Sequence, residues 1–320
     1  MSHGWKQEGQ DRGLIMDGAM GTLLEDQGCD VSTPLWGSGP LLEAHGMERV
    51  MQLHRKYVAA GADVILANTH NAGEAYVRRW WEDARRRDRV PEMDSPEALL
   101  QAVNQAAVEA ARAARPRFAG ACLASPDVPY TTRATLTARE VAEGLRLQLA
   151  ALIPLALDLI VFEMCTTAHD LEGVALAWRD SRPAGSPGKG PGLGVGLVFA
   201  EDGCLLDGTS PQAALARLEP AEPDAIFVQC TPYPFVSRAL NGLRRDGEQG
   251  WLLGAYANDG RGYEDGSWTG SRVDPNAYAV AAEGWWRHDG ARIIGGCCGT
   301  SPAHVRALAH RIRGFDPEFT

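Results

Sequence analysis

Short apolar runs alternate along the chain with longer segments in which apolar residues recur at helical spacing. Eight runs have the length and composition of buried strands, namely residues 14–16, 64–67, 118–123, 159–162, 193–199, 225–228, 252–256 and 293–294. Helices are predicted around Val50, Leu53 and Tyr57 with a stop at Gly61, and over residues 98–114, 170–178 and 303–312. Another begins at Thr137, where Glu140 completes a capping box.

This alternation predicts a parallel sheet whose strands are joined by right-handed crossovers. Eight strand–helix units in 320 residues fit an α/β fold with a single (β/α)8 TIM barrel, and a doubly wound open sheet is the alternative. We expect a polar N-terminal extension at 1–13, the barrel at 14–313 and a C-terminal tail at 314–320. The Pro- and Gly-rich stretch 181–192 is expected to be a surface connection.

Composition narrows the classes of function. Hydrophobic residues make up 45% of the chain and charged residues 22%, which excludes wholesale disorder and a membrane bundle. The net charge of −10 argues against a nucleic-acid groove. The polar start resembles no signal peptide, and the longest apolar run, 151–162, is too short to span a membrane. We therefore expect a cytoplasmic protein with small-molecule partners, whose seven cysteines are free, metal-bound or catalytic.

The residues that follow each strand of a TIM barrel line the active-site mouth. Here these positions carry polar groups and cysteines, namely Asp17-Gly18, Asn68, His70, Glu163, Cys165, Cys230, Asn258-Asp259 and Cys297-Cys298. The strand interiors between them are apolar. Chemistry is therefore expected at this one rim.

The motif GGCCGT, with Cys297 and Cys298 between glycines, is the sharpest local signal. Cys230 ends another strand of the same rim, and three thiolates suit tetrahedral zinc with one open position. The competing interpretation is that these cysteines are small buried hydrophobes. The doublet together with Cys230 favours zinc, and Cys165 is then a wall residue rather than a fourth ligand or redox partner. The remaining cysteines, Cys29, Cys122 and Cys204, show no recognisable spacing.

Asp17 and Glu163 have two interpretations each. Asp17 could cap the helical stretch that begins soon after Gly18. Alternatively, two carboxylates near a thiolate metal site suit a substrate ammonium group. The residues alone leave this choice open. His70 is more typical of a satisfied hydrogen-bonding residue than of direct chemistry.

Four collinear segments resemble the homocysteine S-methyltransferase family. They are DGAMGTLLEDQG from Asp17, AGADVILANTH from Ala60, FEMCTT from Phe162 and IGGCCGTSPAHV from Ile294. The resemblance extends from about residue 14 to residue 312, and the last motif is highly specific. It implies a zinc-dependent (β/α)8 barrel, in agreement with the strand count.

The resemblance also implies roles for individual residues. Cys230, Cys297 and Cys298 would hold zinc, and homocysteine sulfur would take the open position. Asp17 and Glu163 match the amino-acid clamp, Gly18 lies where the backbone approaches substrate, and Asn68 and Asn258 are further expected substrate contacts. Three cysteinates, Zn²⁺ and a bound thiolate sum to −2, so the centre would attract a cationic methyl donor.

Departures from the family pattern bear on the donor. Betaine-using members carry aromatic residues where this chain has Met164 and Asn71, so only Trp36 remains as a wall of an aromatic cage. Gln229 replaces an asparagine, and His70 replaces an aromatic residue. We therefore expect methyl transfer from S-methylmethionine or S-adenosylmethionine to homocysteine, giving methionine.

Three alternatives stay open. The first is transfer from betaine or another onium compound, or to a different thiol or selenol. The second is a thiol redox or zinc-holding protein. The third is a non-catalytic binding protein, which loss of Glu163 or Cys230 would suggest, but both residues are present. The charge-dense segment 78–89 is expected to be solvated, or with Trp285-Trp286 to form contacts in a homo-oligomer.

Overall fold

The computed structural model describes residues 4–182, 190–244, 250–260, 262–264, 267–269 and 271–314. Residues 183–189 of the expected surface connection and 315–320 of the expected tail lie outside the described residues. No helix in the described ranges is long and apolar enough to cross a membrane.

The strands follow the predicted apolar runs and add one hairpin. They are β1 (Leu14–Ile15), β2 (Val64–Ala67), β3 (Phe118–Ala124), β4 (Leu159–Cys165), β5 (Gly192–Leu197), β6 (Ala225–Pro232), β7 (Leu252–Asn258), β8 (Gly262–Glu264), β9 (Ser267–Thr269) and β10 (Ile293–Gly296). Strands β8 and β9 pair with each other in an antiparallel hairpin that the sequence pattern does not predict.

The eight other strands form one parallel sheet in the order β1-β10-β7-β6-β5-β4-β3-β2. A parallel bridge between Met16 and Val64 joins its two ends. The Asp17 amide donates to the Val64 carbonyl at 3.0 Å, and the Asp63 amide donates to the Ile15 carbonyl at 2.7 Å. The sheet is therefore closed into the predicted (β/α)8 barrel, and the open doubly wound sheet is excluded.

Helices connect the strands and form the outer layer. They are α1 (Gly4–Asp11), α2 (Gly21–Asp26), α3 (Gly46–Ala59), α4 (Glu74–Trp81), α5 (Ala84–Arg87), α6 (Pro96–Ala113), α7 (Ala138–Leu152), α8 (Ala168–Ser181), α9 (Pro211–Leu218), α10 (Val236–Leu243), α11 (Pro275–Arg287) and α12 (Pro302–Arg313). The capping box of Thr137 and Glu140 at the start of α7 is confirmed.

The polar N-terminal segment forms helix α1, which the sequence pattern does not reveal. Trp5 on this helix is buried, and its indole donates to the Asp158 carbonyl just before β4 at 2.9 Å. Its ring also lies against Gly192 at the start of β5. Helix α1 therefore packs against the amino ends of these strands, opposite the rim where the polar residues gather.

The core has two layers because strand residues alternate in direction. Leu14, Met16 and Leu66 belong to the cluster inside the barrel, whereas Ile15 and Ile65 pack in the cluster between strands and helices. This division leaves the carboxyl ends of the strands free to carry polar groups, as in other TIM barrels.

Several strands run beyond the apolar residues that predict them. Glu163, Cys230 and Asn258 lie within β4, β6 and β7, rather than after them as the sequence pattern indicates. The backbone of these three strands continues to pair with its neighbours where the side chains become polar, so hydrophobicity alone places these three strand ends too early.

Candidate active site at the carboxyl ends of the strands

Three cysteine sulfurs gather at the carboxyl ends of β6 and β10. The Sγ atoms of Cys230, Cys297 and Cys298 all lie within 4.8 Å of one another. A disulfide joins Cys230 to Cys297, and the Cys298 sulfur is 3.5 Å from that of Cys230 and 4.0 Å from that of Cys297. While this disulfide is intact, Cys230 and Cys297 offer no thiolate, and when it is reduced the three sulfurs are close enough to hold one metal ion.

The glycines of GGCCGT allow the loop to approach strand β1. A Cβ on Gly295 would lie 2.6 Å from the Met16 Cβ and 2.8 Å from the Asp17 carbonyl oxygen, and one on Gly296 would overlap Thr300. Gly299 adopts a φ of 79°, which glycine tolerates best. The Thr300 hydroxyl donates to the Cys297 carbonyl at 2.7 Å, which fixes the loop behind the cysteines.

Cys230 and Met164 both have backbone conformations that are uncommon for residues with a side chain. Their φ angles are 46° and 60°, and each lies where the strand register shifts, on β6 and β4 respectively. The buried Gln229 joins the two irregularities, since its Oε1 accepts a hydrogen bond from the Met164 amide at 2.8 Å. Such local strain persists where surrounding contacts enforce it, and it clusters at functional sites.

Asn258 supports Cys230 from the neighbouring strand β7. Its Nδ2 donates to the Cys230 carbonyl at 3.0 Å, and its Oδ1 accepts from the Gly260 amide at 2.9 Å. Both ends of this buried amide are therefore engaged by the protein itself. The structure places Asn258, which the sequence assigns to substrate binding, as a support of the cysteine backbone.

Asp17 and Glu163 are both buried and lie close enough to interact electrostatically. The Asp17 carboxylate accepts a hydrogen bond from the Leu66 amide at 2.9 Å. Burial raises the pKa of Asp17 well above its usual value, with Glu163 raising it further and the Leu66 hydrogen bond opposing the shift. The alternative role of Asp17 as a helix cap is wrong, because the N-cap of α2 is Met20 and has no side-chain hydrogen bond.

Glu163 is paired with His70 across the mouth of the barrel. The Nδ1 atom of His70 lies 2.6 Å from the Glu163 Oε2 atom. The Trp36 ring lies beside the imidazole, with a centroid separation of 5.9 Å. His70, which the sequence predicts to be a hydrogen-bonding residue, is therefore hydrogen-bonded to Glu163, the carboxylate that the resemblance assigns to the substrate clamp.

The loop that carries Trp36 is held by two asparagines that follow β2. Asn68 donates to the Gly37 carbonyl at 2.9 Å, and Asn71 donates to the Pro34 carbonyl at 2.7 Å. Asn71 also accepts from the Gly37 amide at 3.3 Å. Asn68, which the resemblance assigns to substrate binding, thus contacts the Trp36 loop. Gly18 lies in a crowded place, because a Cβ there would be 2.7 Å from the Thr300 hydroxyl and 3.0 Å from the Tyr57 hydroxyl.

The other cysteines lie apart from this cluster of three sulfurs. Cys165 is fully buried in the outer core layer, where burial raises the pKa of its thiol well above the usual value. Cys122 is buried inside the barrel near Glu163, and burial likewise raises its pKa. The thiol of Cys122 lies within 4.8 Å of both the His70 ring and the Glu163 carboxylate, a proximity that no sequence spacing indicates.

Two tyrosines that the sequence does not predict as site residues lie near the site. The Tyr278 hydroxyl on α11 lies 2.9 Å from the Gly295 carbonyl and 3.1 Å from the Ala257 carbonyl, so it fastens β10 to β7. Tyr256 is buried inside the barrel, and burial raises its pKa, with Glu163 raising it further. The alternation of β7 could have placed Tyr256 inside the barrel, whereas no motif marks Tyr278.

Sequence comparison relates this chain to known methyltransferases. The family model for homocysteine S-methyltransferase matches residues 14–312. The Bacillus subtilis homocysteine S-methyltransferase YbgG is 26% identical over 309 residues, which cover 92% of this chain and 93% of that protein. The maize homocysteine S-methyltransferase 4 is 28% identical over 327 residues, which cover 93% of this chain and 89% of that protein.

The solved structures of Escherichia coli homocysteine methyltransferase MmuM share the fold. The metallated form matches with a TM-score of 0.71 and the oxidized form with 0.73, each at 23% identity. Each match covers 94% of this chain and 96% of the MmuM chain. The likeness therefore extends over the whole barrel.

Proposed function

The chain belongs to the homocysteine S-methyltransferase family, which methylates homocysteine to methionine, and we propose that it does so with zinc and a sulfonium methyl donor. The observation that carries the proposal is the convergence of Cys230, Cys297 and Cys298, whose sulfurs lie within 4.8 Å of one another. The buried carboxylates Asp17 and Glu163 lie near the carboxyl ends of two other strands of the same barrel, β1 and β4.

The donor set fits zinc once the disulfide is reduced. Three thiolates are a common protein ligand set for this metal, and a fourth position stays open for substrate in catalytic sites. When bound, zinc supplies acidity, because a coordinating thiol such as that of homocysteine is deprotonated outright. Gln229 and Asn258 would keep the cysteine backbone in place, through the contacts to Met164 and to the Cys230 carbonyl.

Asp17 and Glu163 would bind the ammonium group of homocysteine. Both carboxylates are buried, and two negative charges close together are unfavourable where little water surrounds them. The substrate ammonium group, bound between them, would offset that cost. The Leu66 amide and His70 fix the directions of the two carboxylates. These residues thus orient the amino-acid end of the substrate, and its thiol is left to reach the cysteines.

The surroundings of Trp36 favour a sulfonium donor over betaine. Recognition of a quaternary ammonium typically uses several aromatic faces. Asn71 instead uses its amide to hold the Trp36 loop, and Met164 follows the clamp residue Glu163. A sulfonium such as S-methylmethionine or S-adenosylmethionine is drawn by the negative charge of thiolates and carboxylates.

Metal content and methyl transfer measured together test the proposal. Reduced protein is expected to hold about one zinc per chain, and Cys298→Ala is expected to lose both the metal and the activity. Cys204→Ala is the matched control, because Cys204 is not among the three clustered sulfurs, and it should retain both. A fully active protein without metal would contradict the proposal.

A further inference from the structure

Two buried carboxylates share the candidate site with one basic side chain. Among the ion pairs of the described residues, no lysine or arginine pairs with Asp17 or Glu163, and Glu163 pairs with His70. A buried carboxylate without a partner is costly. A proton on a carboxyl group or on the His70 ring would lower the negative charge of the substrate-free site.

The His70 ring is placed to hold that proton. Its Nδ1 lies 2.6 Å from the Glu163 Oε2, and a quarter of its side chain is exposed to solvent. Titratable groups face this pair from three other strands, namely Asp17 after β1, Cys122 on β3 and Tyr256 on β7. Each of these three is neutral or negative in ordinary states, so His70 is the cationic candidate among them.

We propose that His70 is a positioning residue whose imidazolium form holds Glu163 in the empty site and is replaced by the ammonium group of homocysteine. On binding, the Nε2–H bond of His70 breaks and the proton passes to water or buffer, while the Nδ1–H group continues to donate to Glu163. One cation replaces another, so the charge of the site is conserved. This inference rests on the proposed function, since it assumes that the substrate ammonium binds at Glu163.

Methionine is the appropriate probe because it has the ammonium group of homocysteine but no thiol to deprotonate. Its ammonium and carboxylate keep their charges between about pH 5.5 and 7.5, so a proton released on binding in this interval comes from the protein. Calorimetric titration of the reduced, zinc-bound protein, in two buffers that differ in ionisation enthalpy, counts the protons released. We expect release approaching one proton per methionine at the acidic end of this interval. The affinity for methionine should fall by at most about tenfold for each unit by which the pH is lowered.

Two substitutions separate the proton from the hydrogen bond. The Nδ2 of His70→Asn can still donate to Glu163 but does not titrate, whereas His70→Phe removes both functions. Both variants are expected to release no proton and to bind methionine with an affinity independent of pH. His70→Asn should keep an affinity close to that of the parent at neutral pH, while His70→Phe should bind more weakly.

The outcomes are distinct. Undiminished proton release in His70→Asn would show that another group, such as Asp17, is the source, and would overturn the inference. Methionine binding to the parent protein without proton release would overturn it as well, and would leave the proposed function standing. Failure of methionine to bind any of the proteins would overturn this inference, and failure of methyl transfer to homocysteine as well would overturn the proposed function with it.

Discussion

The backbone amide of Met164 donates a hydrogen bond to the side-chain oxygen of Gln229 at 2.8 Å, which links the irregular ends of β4 and β6. Met164 follows Glu163, and Gln229 precedes Cys230. The same glutamine therefore lies beside both halves of the site, the carboxylate of Glu163 and the cluster of three sulfurs. Its Nε2 also lies 3.9 Å from the Cys297 sulfur.

Replacing Gln229 should damage both halves at once. Gln229→Leu is similar in size but leaves the buried Met164 amide without an acceptor, which costs about 1–3 kcal/mol of unfolding free energy. We also expect weaker zinc binding, because the backbone at Cys230 loses a constraint. Denaturant unfolding and metal titration measure the two effects. Gln105→Leu on the exposed face of α6 is the control, and equal behaviour of the two variants would refute the linking role of Gln229.

The disulfide between Cys230 and Cys297 predicts a dependence on reductant. Because the same two sulfurs cannot form the disulfide and act as thiolate ligands, protein prepared without reductant should bind far less than one zinc per chain. Reduction followed by addition of zinc should restore about one. Thiol counting and metal analysis on the same samples check this. Full zinc content in protein whose disulfide is intact would show that these cysteines are not the ligands.

Gly296 should be intolerant of a side chain. The Cβ of Gly296→Ala would overlap the Thr300 side chain, whose hydroxyl holds the Cys297 carbonyl. We expect a loss of about 1–3 kcal/mol in unfolding free energy and weakened zinc binding, since the loop must shift. Gly284→Ala on α11 is the matched control, because a Cβ there meets nothing within 4 Å and alanine favours helix by up to about 1 kcal/mol.

His54 predicts a loss of stability in mild acid. Burial lowers the pKa of this histidine from 6.5 to about 4, and neither ring nitrogen has a hydrogen-bond partner among the described residues, although the nearby Asn68 side chain favours the protonated ring. As pH falls below about 6.5, His54 binds a proton in the unfolded chain but stays neutral in the folded chain until the pH approaches about 4. Unfolding free energy should therefore fall by about 2 kcal/mol between about pH 7 and pH 5 on this account.

The variant His54→Leu isolates this contribution. Its stability should change less between the two pH values than that of the parent, by about the same 2 kcal/mol. His169→Leu at an exposed position should behave as the parent does. Identical pH dependence in parent and His54→Leu would show that the buried ring takes up its proton in the folded state as readily as in the unfolded chain.

The barrel was predictable from the sequence because its signals are local. Apolar runs mark all eight barrel strands, and Thr137 with Glu140 marks the start of α7. Helix α1 was not predictable, since Trp5 is its only large apolar residue and its burial depends on contacts with distant strands. The strand ends at Glu163 and Cys230 were placed too early, because backbone pairing continues past the last apolar side chain.

The cysteines of the site were predictable because a sequence motif marks them, whereas contacts between residues distant in sequence were not. The Cys297-Cys298 doublet and Cys230 stand out in the sequence, and the structure brings them together. The pairing of His70 with Glu163 joins residues 93 positions apart on different strands, so neither residue alone reveals it. Asn258 and Asn68 were recognisable as residues of the rim, but only the structure shows that the Nδ2 group of each donates to the protein's own backbone.

Methyl transfer to isotopically labelled homocysteine tests the central claim most directly. The label distinguishes the methylated product from methionine released by the donor. Reduced, zinc-bound protein is given labelled homocysteine with S-methylmethionine, S-adenosylmethionine or betaine in parallel, and the product is identified by mass spectrometry. We predict labelled methionine with a sulfonium donor, and its loss in Cys298→Ala. Labelled methionine from betaine alone, or from none of the three donors, would contradict the account.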